Sequence, residues 1–261
     1  MTLSAFERQV VGLDDSALVA CASQRLLGPV WSAFARLAAD AAQAGFRLEV
    51  ASAYRSYERQ LGIWNAKLRG ERPVVDDADR EINLTALSPL DCLACVLRFS
   101  AMPGASRHHW GTDIDVFDAA AVDAGYQLQL NAAEVTPGGP FGPLHAWLDQ
   151  RISEGQSFGF YRPYDQDRGG VARERWHLSF APLAAPYQQA CCPELLRTLW
   201  RDAKAALPAG LERVEGIESL ESLESLEGAE LLDSQLESLF ERFVTRVAEP
   251  PQAALEYLPP A

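Results

Sequence analysis

The sequence lacks the features of a membrane protein and of a disulfide-linked secreted protein. No apolar run approaches the roughly 20 residues that a membrane-spanning helix needs. Five cysteines are present, an odd number without the regular spacing of a disulfide framework, so reduced thiols are expected. With 48% hydrophobic and 23% charged residues, the composition predicts an ordinary globular protein.

Grouped basic side chains are also missing. The net charge is −13, and residues 208–261 alone hold twelve acidic and three basic side chains, which leaves the preceding body close to neutral. Binding to a phosphate backbone draws its affinity largely from clustered Lys and Arg. We therefore expect no nucleic-acid partner.

The first residues lack the pattern of a secretory signal peptide. Their apolar run is confined to residues 17–22, and Asp14 and Asp15 precede it where such a signal carries Lys or Arg. The expectation for the chain as written is a cytoplasmic protein. A periplasmic or cell-envelope location would require an upstream start or another export route.

The first half of the chain predicts a helix, a strand and a second helix in succession. Residues 29–44 place apolar side chains on one helical face and end before Gly45. Residues 46–50 alternate apolar and charged, as in a half-buried strand, which puts Arg55 at a strand end. Ser56 then provides a cap for a helix that ends near Gly70.

Two later segments predict strands that carry polar side chains on one face. Between residues 110 and 117, Ile114 and Val116 alternate with Asp113 and Asp115, so the two carboxylates share a face. Residues 174–180 alternate in the same way, with helices expected over 142–154 and 185–205. These patterns favour an α+β domain with a mainly antiparallel sheet flanked by helices.

The C-terminal part differs in composition, so we divide the chain into a domain at 1–207 and an acidic tail at 208–261. Between residues 217 and 226 a leucine-rich stripe recurs every three residues, which slips around a helix and indicates a weak helix or a disordered linker. From Leu232 the spacing becomes that of a short amphipathic helix, which would dock on the body or on a partner. We expect removal of 208–261 to leave turnover intact.

Histidine is scarce, and three of the four histidines fall in two short motifs. His108 and His109 lie in SRHHWGTDID at 106–115, and His177 ends ERWH at 174–177. Catalytic zinc has three protein ligands of N and O type and an open position for water, which a His/Asp/His set satisfies. The fourth, His145, lies in the 142–154 helix and is expected to be structural.

Both motifs resemble those of the VanY-type D-alanyl-D-alanine carboxypeptidases, zinc peptidases related to the lysostaphin-like and hedgehog-like fold. SRHHWGTDID fits the family's Ser-x-His and Asp pattern, and ERWH fits its Glu-x-x-His pattern. The resemblance extends upstream to residues 52–56 with Gln60 and downstream through residues 158–164, and spans roughly 45–182. It implies that fold, one Zn²⁺ ion and peptidoglycan peptides as substrates.

The resemblance also assigns roles to residues. It makes His108, Asp115 and His177 the zinc ligands, Glu174 the catalytic base and Arg55 the cation that faces substrate, with Ser106 and Gln60 as further substrate-binding candidates. The family's usual Ala is Asp113 here. Asp115 keeps the family's step from His108, so Asp113 would orient a histidine or face solvent.

Three functions remain open at this point. The resemblance implies a carboxypeptidase that releases terminal D-alanine from a D,D or an L,D bond. An endopeptidase of the same fold would cut between L-alanine and D-glutamate. A hedgehog-like binding module would keep zinc without turnover, although Glu174 argues against it because a structural zinc needs no base.

Overall fold

The computed structural model describes residues 3–206 and 232–258, so the repeat at 217–226 lies outside the described residues. The strands are β1 (Leu18–Cys21), β2 (Gln24–Leu27), β3 (Leu48–Ser52), β4 (Asp113–Asp118), β5 (Phe160–Tyr161) and β6 (His177–Phe180). The helices are α1 (Ala5–Val10), α2 (Gly28–Gln43), α3 (Tyr57–Leu68), α4 (Pro89–Leu97), α5 (Ala132–Val135), α6 (Gly142–Ser153), α7 (Ala181–Ala190), α8 (Pro193–Ala206), α9 (Leu236–Phe240) and α10 (Gln252–Leu255). Short 3₁₀ turns cover Leu84–Ala86 and Arg107–Trp110, and a π turn covers Glu241–Thr245.

The main sheet has four strands in the order β3-β4-β6-β5, and each neighbouring pair is antiparallel. Helices flank this sheet, and the predicted α+β class is therefore confirmed. The register pairs Asp115 with His177 and Asp113 with Ser179 across β4 and β6. It also pairs Asp115 with Ser52 of β3, so three neighbouring strands meet at the position of one carboxylate.

The two faces of β4 and β6 differ sharply in chemistry. Ile114 and Val116 are fully buried in an apolar cluster with Leu178, Val30 of α2 and Leu144 of α6. Because successive side chains of a strand point to opposite faces, the carboxylates of β4 and the histidine of β6 lie on the other side. The packed face thus provides a rigid support for the polar one.

Two elements depart from the sequence-based expectation. The helix expected over 185–205 is two helices, α7 and α8, because Cys191 is extended at φ −72° and ψ 113° and Pro193 begins a new helix. The β1-β2 hairpin was not predicted, since three of the four β1 residues are exposed and carry no apolar alternation. The hairpin packs beside the turn that leads into β4.

The described part of the tail, residues 232–258, packs on the body. Leu232, Leu236, Leu239 and Phe243 are buried in the same cluster as Leu196 of α8. The chain then runs along the loop at 163–170, where the Ala248 amide donates to the Pro163 carbonyl at 2.8 Å and Arg242 Nε donates to the Gly169 carbonyl at 2.6 Å. None of the described helices is both long and apolar enough to span a bilayer.

Candidate metal centre

A tight turn delivers His108 to the polar face of the sheet. His108 lies in the 3₁₀ turn Arg107–Trp110, and Gly111 follows it in the left-handed region at φ 67°. The positive φ favours glycine at this position, and a Cβ there would also press on the end of the Leu18 side chain of β1. The chain then enters β4 with Asp113 and Asp115 facing the same side as His108.

His108, Asp115 and His177 converge as predicted, and all three are buried. Each offers one nitrogen or oxygen atom, and these three atoms lie within 4.8 Å of one another. His108 Nε2 is 3.3 Å from Asp115 Oδ2, and His177 Nδ1 is 3.1 Å from Asp115 Oδ1. Two imidazoles and one carboxylate form the donor set that zinc takes in hydrolytic enzymes.

The second nitrogen of each histidine is already engaged. His108 Nδ1 lies 2.8 Å from the Ala53 carbonyl, and His177 Nε2 lies 2.9 Å from Asp113 Oδ1. Metal-ligating histidines typically donate their other N–H to a carbonyl or a carboxylate, which fixes the tautomer and the ring orientation. These hydrogen bonds leave His108 Nε2 and His177 Nδ1 as the nitrogens that would bind the metal, so the residues fit a zinc ion.

Asp113 lies behind His177 and is fully buried. Its carboxylate accepts hydrogen bonds from Arg107 Nε at 2.8 Å, Thr112 Oγ1 at 2.6 Å and Ser179 Oγ at 3.1 Å. Burial alone would raise the pKa of Asp113, but the Arg107 guanidinium and His177 hold it below its ordinary value. Its oxygens are occupied by these donors, and the geometry favours Asp115 as the carboxylate ligand.

Arg107 organises this region, a role that the sequence analysis did not predict. Its guanidinium also donates to Ser179 Oγ at 2.8 Å and to Tyr161 Oη at 3.2 Å, and it lies over the Trp110 ring at 4.5 Å from the centroid. Ser179 and Tyr161 are far from Arg107 in the chain and belong to β6 and β5. A local sequence pattern does not predict contacts that form only when distant strands pair in the sheet.

Glu174 lies just before β6 at the edge of the metal cluster. Its amide donates to the Tyr164 carbonyl at 3.0 Å, and its Oε2 is 3.9 Å from His177 Nδ1. Burial raises the pKa of Glu174 to about 7, an effect that Asp115 reinforces and that His177 and Arg55 oppose. A carboxyl that titrates near neutrality can both accept and return a proton.

Arg55 is held next to the cluster by main-chain and side-chain contacts. Its amide donates to the His108 carbonyl at 3.1 Å, and its Nη1 donates to Gln60 Oε1 at 2.8 Å. Gln60 in turn donates to the Ala101 carbonyl at 2.6 Å. Gln60 is fully buried, and its side chain contacts Arg55, another candidate for binding substrate. Ser106 is also buried, at the start of the 3₁₀ turn.

The two remaining histidines are structural. His109 Nδ1 donates to the Arg55 carbonyl at 2.6 Å and its Nε2 accepts from the Gly104 amide at 3.3 Å, so it braces the backbone behind Arg55. Burial lowers the pKa of His109 to about 3, which keeps the ring neutral. His145 is fully buried in α6 near Arg162, in line with the role expected for it.

Comparison with known proteins identifies the family. Residues 24–183 match the family profile described as VanY, D-alanyl-D-alanine carboxypeptidase. The chain belongs to the VanY family. Its members are peptidoglycan peptidases, and the match contains every residue of the metal cluster together with Glu174 and Arg55.

One curated relative and two solved structures illustrate the similarity. An uncharacterized protein of Haemophilus influenzae is 33% identical over 142 residues, which is 54% of this chain and 90% of the relative. A variant of the VanY D,D-pentapeptidase from a VanB-type resistance cassette, in complex with Zn(II), is 22% identical with a TM-score of 0.44 and covers 70% of this chain and 88% of its own. The LdcB LD-carboxypeptidase is 22% identical with a TM-score of 0.42 and covers 63% of this chain and 68% of its own.

The VanY match begins earlier than the resemblance in the motifs, which starts near residue 45. The additional segment contains β2 and α2, whose Leu26, Val30 and Leu37 pack beneath the sheet. The side chains at these positions contribute to core packing and not to catalysis, so they belong to no functional motif. The match ends at residue 183, before α8 and the described part of the tail.

Proposed function

We propose that this VanY-family protein is a zinc-dependent carboxypeptidase that releases the terminal D-alanine of peptidoglycan stem peptides. The observation that carries the proposal is the convergence of His108, Asp115 and His177 with Glu174 at the edge of the cluster. Two histidines and a carboxylate beside a carboxyl that is not one of the three ligands are the parts of a hydrolytic zinc site.

Each residue of the site has a separate role in the proposed hydrolysis. A zinc ion, when bound, supplies a Lewis acid and lowers the pKa of a water molecule. Glu174 accepts a proton from the attacking water and then returns it to the departing amine, a role supported by its pKa of about 7. Asp113 and the Ala53 carbonyl hold the two ligand rings in orientation throughout.

Arg55 supports recognition of a free carboxylate on the residue that follows the scissile bond. It is a permanent cation that interacts electrostatically with both Asp115 and Glu174, and Gln60 fixes one of its guanidinium nitrogens. A planar guanidinium held in this way suits bidentate binding of a terminal carboxylate. An endopeptidase that cuts between L-alanine and a γ-linked D-glutamate would present the free α-carboxylate of that glutamyl residue in the same place, so product analysis has to separate the two reactions.

A zinc-binding module without turnover is the candidate from another class. Glu174 weighs against it, because its burial at the metal cluster raises its pKa, and a structural site has no use for such a group. Between D,D and L,D hydrolysis the proposal remains open, since both reactions leave a free D-alanine and use the same groups.

The test is product analysis on purified muropeptides with wild type and Glu174→Gln, alongside zinc stoichiometry. We expect one zinc per chain in both proteins and D-alanine release by the wild type alone. The products from pentapeptides and tetrapeptides separate D,D from L,D activity, and cleavage after L-alanine identifies an endopeptidase. Full zinc occupancy with no peptide cleaved by wild type would rule out all three enzymatic forms. Fractionation of the native protein shows which compartment supplies the substrate.

A further inference from the structure

A cavity of about 580 Å³ lies beside α3 and the segment that leads into β6, and the mechanism above does not use it. Its lining includes Lys67 of α3, Arg173 and Trp176. Arg173 directly precedes Glu174, Trp176 directly precedes His177, and Lys67 is close enough to Glu174 for each to influence the other's pKa. Lys67 therefore links the lining of the cavity to the edge of the metal cluster.

The cations that line the cavity fall into two groups. Arg98 is neutralised, since it donates to Asp77 at 2.6 Å and 2.8 Å and to Asp167 at 2.7 Å and 3.0 Å. Lys67 and Arg173, by contrast, make no ion pair within residues 3–206 and 232–258. Over the whole lining the three basic side chains are matched by three carboxylates, and Lys67 and Arg173 outnumber Asp79, the lining carboxylate that also has no ion pair in those ranges.

Lys67 is the more unusual of these cations because it is half-buried. Burial lowers its pKa, and the neighbouring Arg72 and Arg55 act in the same direction. Glu174 opposes this effect, yet the two side chains form no ion pair. A half-buried ammonium without a bound carboxylate is costly, and an anionic ligand would offset that cost.

We propose that Lys67 and Arg173 form a subsite for a second substrate carboxylate, separate from the terminal carboxylate at Arg55. This inference rests on the proposed carboxypeptidase function. In a carboxypeptidase the residue after the scissile bond ends the chain, so any further carboxylate belongs to the acyl side of that bond. The subsite would therefore bind the part of the peptide that precedes the scissile bond.

The chemistry of the subsite defines a substrate class. It selects peptides with a free carboxylate on the acyl side, such as stem peptides in which the α-carboxylate of a γ-linked D-glutamyl residue is free. Amidation of that group replaces a charged acceptor by a neutral one of nearly the same size. Hydrogen bonds to charged groups exceed neutral ones by enough to change affinity about tenfold.

The experiment compares a free and an amidated D-glutamyl stem peptide that are otherwise identical. For wild type we expect kcat/KM to be about tenfold higher for the free acid. Lys67→Gln and Arg173→Gln should each lower that ratio, and the double variant should bring it close to one. Arg36→Gln, which removes an exposed arginine of α2, is the matched control and should keep the wild-type ratio. Equal ratios in wild type and in the double variant would overturn the subsite.

Binding to a catalytically disabled protein makes the result independent of turnover. In the Glu174→Gln background, calorimetry with the same peptide pair should give tighter binding of the free acid, and this preference should vanish when Lys67→Gln and Arg173→Gln are added. If wild type cleaves neither peptide but the binding preference appears, the proposed function fails and the subsite stands. If cleavage occurs and no preference appears in either assay, the subsite fails alone.

Discussion

Asp113 Oδ1 lies 2.9 Å from Nε2 of His177, while Asp115 Oδ1 lies 3.1 Å from Nδ1 of the same ring. The two carboxylates of β4 therefore hold the imidazole from both of its nitrogens. Only one of them can share a metal ion with the ring, and the other fixes its tautomer. This arrangement explains why both positions of the strand are acidic.

Replacing Asp113 by Asn should weaken zinc binding without removing a ligand. Partners that orient a metal-bound histidine contribute about 10- to 100-fold to metal affinity. We expect a loss of that size in a competitive chelator titration, and a larger loss for Asp115→Ala. Asp118→Asn is the control, because Asp118 is buried on the same strand and instead accepts from the Arg47 amide. Wild-type zinc affinity in Asp113→Asn would refute the orienting role.

Gln60→Leu should impair the recognition of a terminal carboxylate. The change removes the acceptor that fixes Arg55 Nη1, and a hydrogen bond to a charged group contributes enough to lower kcat/KM about tenfold. The measurement compares a stem peptide with its C-terminal carboxamide. We expect the substitution to lower kcat/KM for the free acid and to leave kcat/KM for the carboxamide nearly unchanged. A uniform loss on both peptides would show that Gln60 acts on the fold rather than through Arg55.

His145 should make the protein less stable as the pH falls below neutrality. Burial, followed by Arg162 and Arg175, lowers the pKa of His145 to about 2, whereas an unfolded histidine titrates near 6.5. Between those values only the unfolded state binds the proton, so the free energy of unfolding decreases as pH falls, by up to about 1.4 kcal/mol per pH unit. The contribution is fully present above the unfolded pKa.

Urea unfolding of wild type and His145→Gln between pH 7 and pH 5 tests this linkage. The variant replaces the ring by an amide that does not titrate, so its stability should fall less steeply with decreasing pH. All other histidines are shared by the two proteins, and their contributions cancel in the comparison. Parallel pH profiles would show that His145 is protonated equally in both states.

The described part of the tail, residues 232–258, packs on the body, which is one of the two alternatives that the sequence left open. Leu236 is fully buried, whereas Leu258 is 86% exposed in the same segment. Leu236→Ala should lower the free energy of unfolding by about 2–5 kcal/mol, and Leu258→Ala should change it by less than about 0.5 kcal/mol. Thermal or urea unfolding measures both. Equal effects of the two substitutions would mean that the segment does not dock in solution.

The same contacts revise the expectation for deletion of 208–261. Arg242 and Ala248 hydrogen-bond to the loop at 163–170, and Tyr164 of that loop accepts from the Glu174 amide. Removing residues 232–261 would therefore expose apolar core and loosen the segment that carries Glu174, the proposed catalytic base. We now expect turnover to fall, which an assay of the truncated protein on a stem peptide checks directly.

The convergence of His108, Asp115 and His177 could be predicted from the sequence because motif and strand period agree. Asp113 and Asp115 are two residues apart and therefore share a face, and the spacing to His108 and the ERWH motif supply the other ligands. The role of Arg107 was out of reach, since Ser179 and Tyr161 approach it only after β4, β5 and β6 have paired. The split between α7 and α8 was signalled by Pro193 but masked by the apolar residues around it.

The pairing of Asp115 with His177 gives the metal centre a part in folding. Were β4 to shift by one residue against β6, the carboxylates would enter the apolar cluster and Ile114 would face the histidine. Only the native register places all three donors where a zinc ion could bind them. Zinc binding would therefore stabilise this register of β4 and β6 relative to registers shifted by one residue. We then expect zinc to increase the fraction of refolded molecules in which β4 and β6 pair in the native register.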